Sequence, residues 1–501
     1  MITGDYIEKD RVTKSGKFVK EKIVTSTTGI EYAIGGRLGA GGVAKVYKAR
    51  RLSDKAEFVF KEYVPTAGSR LMHRAIKNNI KKLMDKPLTD NDGKTPLESF
   101  VGPLDKDSLI ELPASKGFGY IMKLVDTKVF LPVPKLWHKD VYPDAEILCK
   151  ACSNIANLFR RVHLTGWCYK DINEGNIYIN NKTGEIRIID CDNISVQSAK
   201  TIKGTDGFMA PEVYVTSTPD THTDYFSMAV LFYRMLVGGF PMDGKKTRDY
   251  LIANNLSIQE AASAIYGNMA LFAFDPKDRS NEIRNLVDKL NPQLYAIQTK
   301  RWNRLPAEIK NGFIKTFSTG LANAERHKRA TDRDWILIFE GLQKNGLVKC
   351  KCGKMNFGDC KKQSTCNFCN SKLPLLKPVS PPPIKKISPM KKGTPAPGEL
   401  TTVVFCAKRD IAPTKFYITA KRKQQLQGAQ IYPKLNENWM RIEYSKAKNM
   451  LSAVNLSNFS WTVSDNGTKT ICNPGERVIL KKDMVITVLY RQLQLTVYEI
   501  K

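Results

Sequence analysis

The sequence predicts an α+β fold assembled from several parts, and three observations carry that prediction. Between residues 31 and 125, short runs of alternating apolar residues are broken by glycines, as in strands, whereas Asp144 to His163 and the apolar stretch from Thr223 to Gly238-Gly239 have helix patterns. Four cysteines, Cys350, Cys352, Cys366 and Cys369, form two short knuckles beyond that body. After about residue 400 the pattern turns to β again, in runs such as Met484 to Tyr490 and Gln492 to Tyr498 divided by polar turns, consistent with a small β-sandwich. A chain of 501 residues with 42% hydrophobic content has room for roughly two to four domains. The expected division is an N-terminal extension (1–30, a mobile lead-in or an extra hairpin), a main body (31–345), a cysteine module (346–372), a linker (373–400) and the sandwich (401–501).

The main body is organised around Tyr169 to Asp192. Ile177-Tyr178-Ile179 and Ile186-Arg187-Ile188-Ile189 read as strands, and the Asn180 to Gly184 segment between them accepts turn geometry. An antiparallel hairpin then sets Asn176, just before the first strand, beside Asp190, just after the second. Two hard oxygen ligands at one point suit Mg²⁺, which takes one or two protein oxygens and completes its shell with water and phosphates. Asp171, five residues before Asn176, reaches a neighbouring hydroxyl from the same loop. That spacing of Asp171, Asn176 and Asp190 resembles the catalytic loop and metal motif of protein kinases.

Upstream, Gly39, Gly41 and Gly42 lie between alternating apolar runs, where a side-chain-free backbone closes over phosphates, although Ala44 stands where a third glycine is usual. Phe58-Val59-Phe60-Lys61 is an apolar strand ending in one lysine, placed to reach the α- and β-phosphates. With these parts in order, the chain resembles the protein kinase family from about Tyr32 to Leu342, which implies a bilobal protein-kinase-like fold, ATP and Mg²⁺ as cofactors, and protein substrates. The resemblance makes Gly119 to Val125 the strand and linker that present Met122, Lys123 and Val125 to adenine, with Met122 as gatekeeper. It makes Asp224 the acid that braces the catalytic loop and Arg329 the partner of Glu212 in Ala210-Pro211-Glu212. Ser195, Ser198, Thr201 and Thr205 fall in the activation segment.

Tyr169-Lys-Asp171, Ile189-Asp-Cys-Asp-Asn193 and Arg329-Ala-Thr-Asp-Arg-Asp-Trp335 with a following cysteine cluster resemble one group of bacterial, eukaryotic-like Ser/Thr kinases. Members occur with a PP2C-type phosphatase and a von Willebrand A protein in tellurium-resistance-associated systems, which implies those partners. The chain departs from the pattern in three further places. Tyr169 and Lys170 replace the usual His and Arg, Cys191 and Asp192 replace Phe and Gly, and no acid stands between Glu62 and Asp85 to pair with Lys61, leaving Asn78, Asn79 or Glu98 as substitutes. Two readings follow: an active kinase, and a pseudokinase scaffold that binds nucleotide and assembles partners.

Four thiolates from two tight turns make a tetrahedral zinc site, with Cys360 spare; Cys149 and Cys152 share metal-like spacing but lie on an amphipathic helix and are expected in the core. The linker is rich in proline and lysine and without period. Leu456 to Trp461 and Gly475 to Asp483 resemble a degenerate forkhead-associated domain, which implies phosphothreonine reading through Ser457, beside the plainer reading of a protein-interaction sandwich. The formal charge of +30 permits nucleic acid, anionic lipid or acidic protein as partner and does not choose. No signal peptide or span-length apolar stretch is present, and eleven cysteines are too sparse for a disulfide scaffold, so the expected location is cytoplasmic.

Overall fold

In the computed structural model the described residues are 5–12, 18–41, 44–66, 69–89, 97–138, 141–191, 193–196, 204–215, 218–283, 292–360 and 362–376 in one compact unit, and 402–408, 414–419, 425–427, 438–445, 450–456, 461–465, 468–473, 475–488 and 493–500 in a second. The first unit opens with β1 (Ile7–Val12), β2 (Phe18–Thr25), β3 (Glu31–Ala40), β4 (Lys45–Arg51) and β5 (Glu57–Tyr63), followed by the helix α1 (Arg70–Asp85) and by β6 (Leu109–Leu112) and β7 (Gly117–Lys123). The strands form one antiparallel sheet in the order β1-β2-β3-β4-β5-β7-β6. Of the two readings of residues 1–30, the hairpin is the one realised. It is tied down by Asp5, whose carboxylate accepts the N–H groups of Ala114 and Ser115, and by the Tyr6 hydroxyl on Glu62.

Alternation along β5 decides which face Lys61 occupies. Phe60 packs with Ile121, Tyr32 and Ala49 on one side, while Val59 and Tyr63 pack with Ile76 and Ile80 of α1 on the other. Lys61 shares the second face. The strand does not end at this lysine but runs on to Tyr63, because Glu62 and Tyr63 still pair with Gly119 and Phe118.

The second half of the unit is helical. β8 (Leu131–Pro132) leads to α2 (Ala145–Leu164), capped by Asp144 through the N–H groups of Glu146 and Ile147. β9 (Trp167–Cys168), β10 (Ile177–Ile179), β11 (Ile186–Ile188) and β12 (Ser195–Val196) follow, then α3 (Pro211–Val215), α4 (Thr221–Leu236), α5 (Lys245–Asn254), α6 (Ile258–Ser263), α7 (Pro292–Arg304), α8 (Ala307–Ile314) and α9 (Asp332–Asn345). α4 is buried nearly all round, as its sequence suggests, and stops at Gly238 and Gly239. One apolar core joins α1, α2, α4 and α9, with Cys149 and Cys152 inside it. A short hairpin of β13 (Leu347–Lys349) and β14 (Met355–Phe357) closes the helical part.

The second unit holds two antiparallel sheets. One runs Thr414–Thr419, Thr402–Lys408, Leu493–Ile500, Val485–Val488, Trp461–Asp465, Thr468–Cys472; the other runs Gln425–Gln427, Asn438–Ser445, Met450–Asn455, Arg477–Ile479. Arg477–Ile479 therefore lies in a different sheet from the two strands that follow it, Val485–Val488 and Leu493–Ile500. Ser198, Thr201, Asp192, Gly42, Ser457 and the linker from residue 377 onward lie outside the described residues.

Candidate active site

The β10–β11 hairpin forms in the expected register, Ile177 opposite Ile188 and Ile179 opposite Ile186. Its turn needs Gly184, which has φ of +77° and lies so close to α2 that a Cβ there would be 2.6 Å from that of Lys150. At the open end Ile189 donates its N–H to the Asn176 carbonyl at 2.9 Å, so Asn176 and Asp190 stand together. Asp190 adopts φ of +67° and Lys170 φ of +68°, left-handed conformations that non-glycine residues take only where the surroundings impose them.

Lys61 reaches this point from β5. Its Nζ lies 3.0 Å from Asp190 Oδ1, and the ammonium sits 5.6 Å from the centre of the Tyr63 ring. Of the substitutes considered for a helix acid, Glu98 faces Arg187 instead, 3.7 Å away, and Asn78 is exposed. On the α1 face toward Tyr63 the buried polar residue is His73, whose ring nitrogens have no hydrogen-bond partner among the described residues and whose pKa burial lowers.

Asp171 is held by the loop around it. Asn173 and Asn176 both donate to its carbonyl, at 3.1 and 3.2 Å, and Thr205 gives its N–H and hydroxyl to Oδ1 at 2.9 and 2.8 Å. Burial pushes the Asp171 carboxyl above its ordinary pKa; the hydrogen bonds from Thr205 and Asn173 pull the other way, and nearby Asp190 adds to the rise. Beneath the loop, Asp224 accepts the N–H groups of Tyr169 and Lys170, at 2.6 and 2.9 Å. The Tyr169 hydroxyl donates to the Ile189 carbonyl, and Lys170 Nζ to Ser195 Oγ at 2.7 Å. Cys191 Sγ lies 3.5 Å from the Tyr120 hydroxyl. The lysine that replaces the usual arginine is thus spent inside the loop.

Gly39 pairs with Val46 across the β3–β4 hairpin, Gly41 donates to the Ala44 carbonyl at 2.9 Å, and a Cβ at either glycine would meet nothing within 4 Å. Open space above that backbone fits a phosphate chain. Met122 is buried at the end of β7, Lys123 beside it is exposed, and Val125 is half-buried against the core. Glu212 and Arg329 form a buried bidentate pair, both bonds 2.8 Å, and Arg329 also donates to the carbonyls of Gly320 and His222.

Three features escaped the sequence. Thr205 read only as one hydroxyl of a loop; its signal is Gly204 before it, where a Cβ would stand 2.8 Å from the Lys170 carbonyl. His163 read as the end of a helix, yet its two ring nitrogens meet Asp332 at 2.9 Å and Asp224 at 3.1 Å. Glu174 makes a bidentate pair with Arg234 at 2.6 and 2.9 Å, a contact across sixty residues that no local pattern announces.

In the cysteine module, Cys350 Sγ lies 3.6 Å from Cys369 Sγ and Cys352 Sγ 3.7 Å from Cys366 Sγ, with all four sulfurs within 4.8 Å of one another. Tetrahedral zinc with Zn–S bonds of about 2.3 Å has sulfur edges of about 3.8 Å, so the four thiols fit the metal. The β14 residue Met355 donates its N–H to Asp144 Oδ2 at 3.1 Å, and Arg304 reaches Thr365 and Asn367.

Residues 121–308 match the family model described as protein kinase domain. Among curated proteins, a serine/threonine-protein kinase pkn2 of Myxococcus xanthus is 30% identical over 101 residues, 18% of this chain and 12% of that protein. Ribosomal protein S6 kinase alpha-6 of Danio rerio is 23% identical over 292 residues, 54% of this chain and 35% of that protein. Among solved structures, the autoinhibited serine kinase domain of the giant muscle protein titin aligns with 61% of this chain and 79% of that one, at 14% identity and a TM-score of 0.42. The chain therefore spans between an eighth and about a third of the length of these curated relatives. The model match over residues 121–308, with the curled sheet ahead of it, gives the first unit a protein-kinase-like fold.

Proposed function

We propose that the chain is a Ser/Thr protein kinase that transfers the γ-phosphate of ATP to protein hydroxyls. The observation that carries this is the meeting of Lys61, Asp171, Asn176 and Asp190 at the open end of one hairpin. Asn176 turns its amide nitrogen to the Asp171 carbonyl, which leaves its oxygen, with the Asp190 carboxylate, as the donor set for Mg²⁺. Bound there, the metal would neutralise charge on the phosphates. Lys61 and the backbone of Gly39, Gly41 and Gly42 would hold the phosphates, and Met122, Lys123 and Val125 the adenine. Asp171 orients the substrate hydroxyl and receives its proton, with Thr205 fixing one carboxylate oxygen. Asp224 and the Glu212–Arg329 pair position the loop and the segment beside it.

The test is transfer from labelled ATP with Mg²⁺, to the protein itself and to a generic Ser/Thr substrate. Transfer is expected from the natural chain and not from Asp190→Ala. A nucleotide-dependent rise in melting temperature without transfer would favour the scaffold reading, which the absence of any acid in α1 before Asp85 supports.

The finer parts of the proposal rest on sequence resemblance and on the thiol geometry. They are bacterial signalling with a PP2C-type phosphatase and a von Willebrand A protein, a structural zinc at Cys350, Cys352, Cys366 and Cys369, and a forkhead-associated-like second unit. Among the described residues no helix is long and apolar enough to cross a membrane, and a cytoplasmic location is part of the same proposal.

A further inference from the structure

The four clustered cysteines are not equivalent. Cys350 and Cys366 are buried, whereas Cys352 and Cys369 are exposed. Cys366 Sγ also accepts two N–H groups, one from the Phe368 backbone and one from the Asn356 side-chain amide, each at 3.4 Å. The first belongs to the turn that carries Cys366. The second comes from the hairpin of the other knuckle.

Asn356 lies in β14 opposite Val348 of β13 and is only 2% exposed. Its orientation is settled by partners that act in one sense only. The Asn367 backbone N–H can only donate, and it meets Asn356 Oδ1 at 3.0 Å; the Lys354 carbonyl can only accept, and it lies 3.1 Å from Nδ2. Nδ2 is therefore the end at the sulfur. Its two hydrogens have two acceptors, the Lys354 carbonyl and Cys366 Sγ. One buried amide thus joins the first knuckle at Lys354 to the second at Cys366 and Asn367. Arg304, at the end of α7, reaches the Asn367 side-chain oxygen, so the residue that seats Asn356 is itself held from the helical body.

A metal takes cysteine as thiolate, and four thiolates within 4.8 Å of one another repel. Zn²⁺ would offset half of that charge. A hydrogen bond to an ionised acceptor is about twice as strong as one between neutral groups, so the bond from Asn356 favours the form of Cys366 that binds metal. Tying the two turns together would need only the bonds to Lys354 and Asn367. The bond to sulfur is additional to that role.

Resting on the zinc reading, we propose that Asn356 is a positioning residue of the metal site, which holds Cys366 Sγ as a thiolate at one corner of the tetrahedron and so tightens zinc binding. The metal is then fixed by its four sulfurs and by an amide that no cysteine spacing announces.

In the experiment the full chain is stripped with a chelator and titrated with Zn²⁺ against a chromophoric competitor. It is also saturated with Co²⁺, whose sulfur-to-metal charge-transfer band reports how strongly the thiolates donate. Asn356→Asp keeps an oxygen for the Asn367 N–H and replaces the donor by a second oxygen; Asn356→Leu removes both polar ends. Each should bind zinc about 10- to 100-fold more weakly. Each should also move the cobalt band to lower energy, because an N–H bond stabilises the sulfur lone pair from which the electron departs. Val348→Ala removes packing from the same small core but no hydrogen bond to sulfur, and should leave the band in place. Zinc affinity unchanged in either Asn356 variant overturns the inference, and so does a band that stays put in them or moves as far in Val348→Ala. Should the natural chain take up neither metal, the zinc reading is what fails, and the role of Asn356 falls with it.

Discussion

Thr205 donates both its amide N–H and its hydroxyl to a single oxygen of Asp171. One oxygen of the carboxylate is thereby committed to the segment that covers the loop. In the proposed mechanism Asp171→Asn removes the proton acceptor and should lower kcat about a hundredfold or more, while the melting-temperature shift caused by ATP and Mg²⁺ persists. Thr205→Ala keeps the backbone bond and loses the hydroxyl bond to a charged group, a loss of about tenfold in kcat; Thr205→Ser should restore most of it. Because burial raises the Asp171 pKa, the acidic limb of the pH profile of kcat/KM should lie above the usual carboxylate range. A loss of nucleotide binding equal to the loss of turnover would show that the loop is structural only.

Arg329 and Glu212 are a different kind of pair, because both side chains are buried. Removing one partner strands the other as a buried charge, which costs about 3–5 kcal/mol. Arg329→Met should therefore destabilise the first unit severely, and the double variant with Glu212→Gln should recover part of the loss. Chemical denaturation of the four proteins measures the coupling. Independent, additive effects would mean that the pair holds nothing together.

His163 supplies the expected pH dependence of stability. Burial alone would lower its pKa, but hydrogen bonds to Asp224 and Asp332 outweigh it and raise the value from 6.5 to about 9. With the folded value above the unfolded one, the stabilisation is fully present below a pH of about 6.5 and is lost as the pH rises through about 9. Thermal melts between those limits should show the natural chain falling, whereas His163→Gln falls less across that window. Since Asp224 also holds the Tyr169 and Lys170 amides, turnover should decline over the same range.

What could be read from the sequence was what local pattern encodes. The β10–β11 hairpin, the Asp144 cap and the buried α4 follow from turn residues, a capping carboxylate and an apolar run, and the structure has all three. The joints of that hairpin carried Asn176 and Asp190 to one place for the same reason. Lys61 was found on the right strand but read as its last residue, because continuation to Tyr63 depends on pairing with Phe118 across a sheet. Glu174 with Arg234, His163 with Asp332, and Thr205 with Asp171 join elements 34 to 169 residues apart. Such contacts are set by packing of the whole unit, and no period or spacing records them. Residues 1–30 left a hairpin and a mobile lead-in equally open, since the bonds that settle the matter come from Glu62, Ala114 and Ser115.

The cysteine module joins local pattern and distant packing, and the zinc proposed there should matter beyond its own turns. Small segments of this kind fold with their metal, yet this one is also fastened to the body. Met355 donates to the second oxygen of Asp144, the residue that caps α2, and Arg304 at the end of α7 reaches Thr365 and Asn367. α2 in turn carries His163 in its last turn, where it meets Asp224 under the proposed catalytic loop. Elemental analysis should find one zinc per chain. Its removal by a strong chelator should lower the melting temperature of the first unit, and zinc added back should restore it. Cys352→Ser, which loses one ligand, should reproduce the loss. Cys360→Ser should not, because Cys360 is exposed and lies outside the four-sulfur cluster. A chain that keeps its melting temperature after complete loss of zinc would show that the two anchoring contacts, without the metal, suffice to hold the module in place.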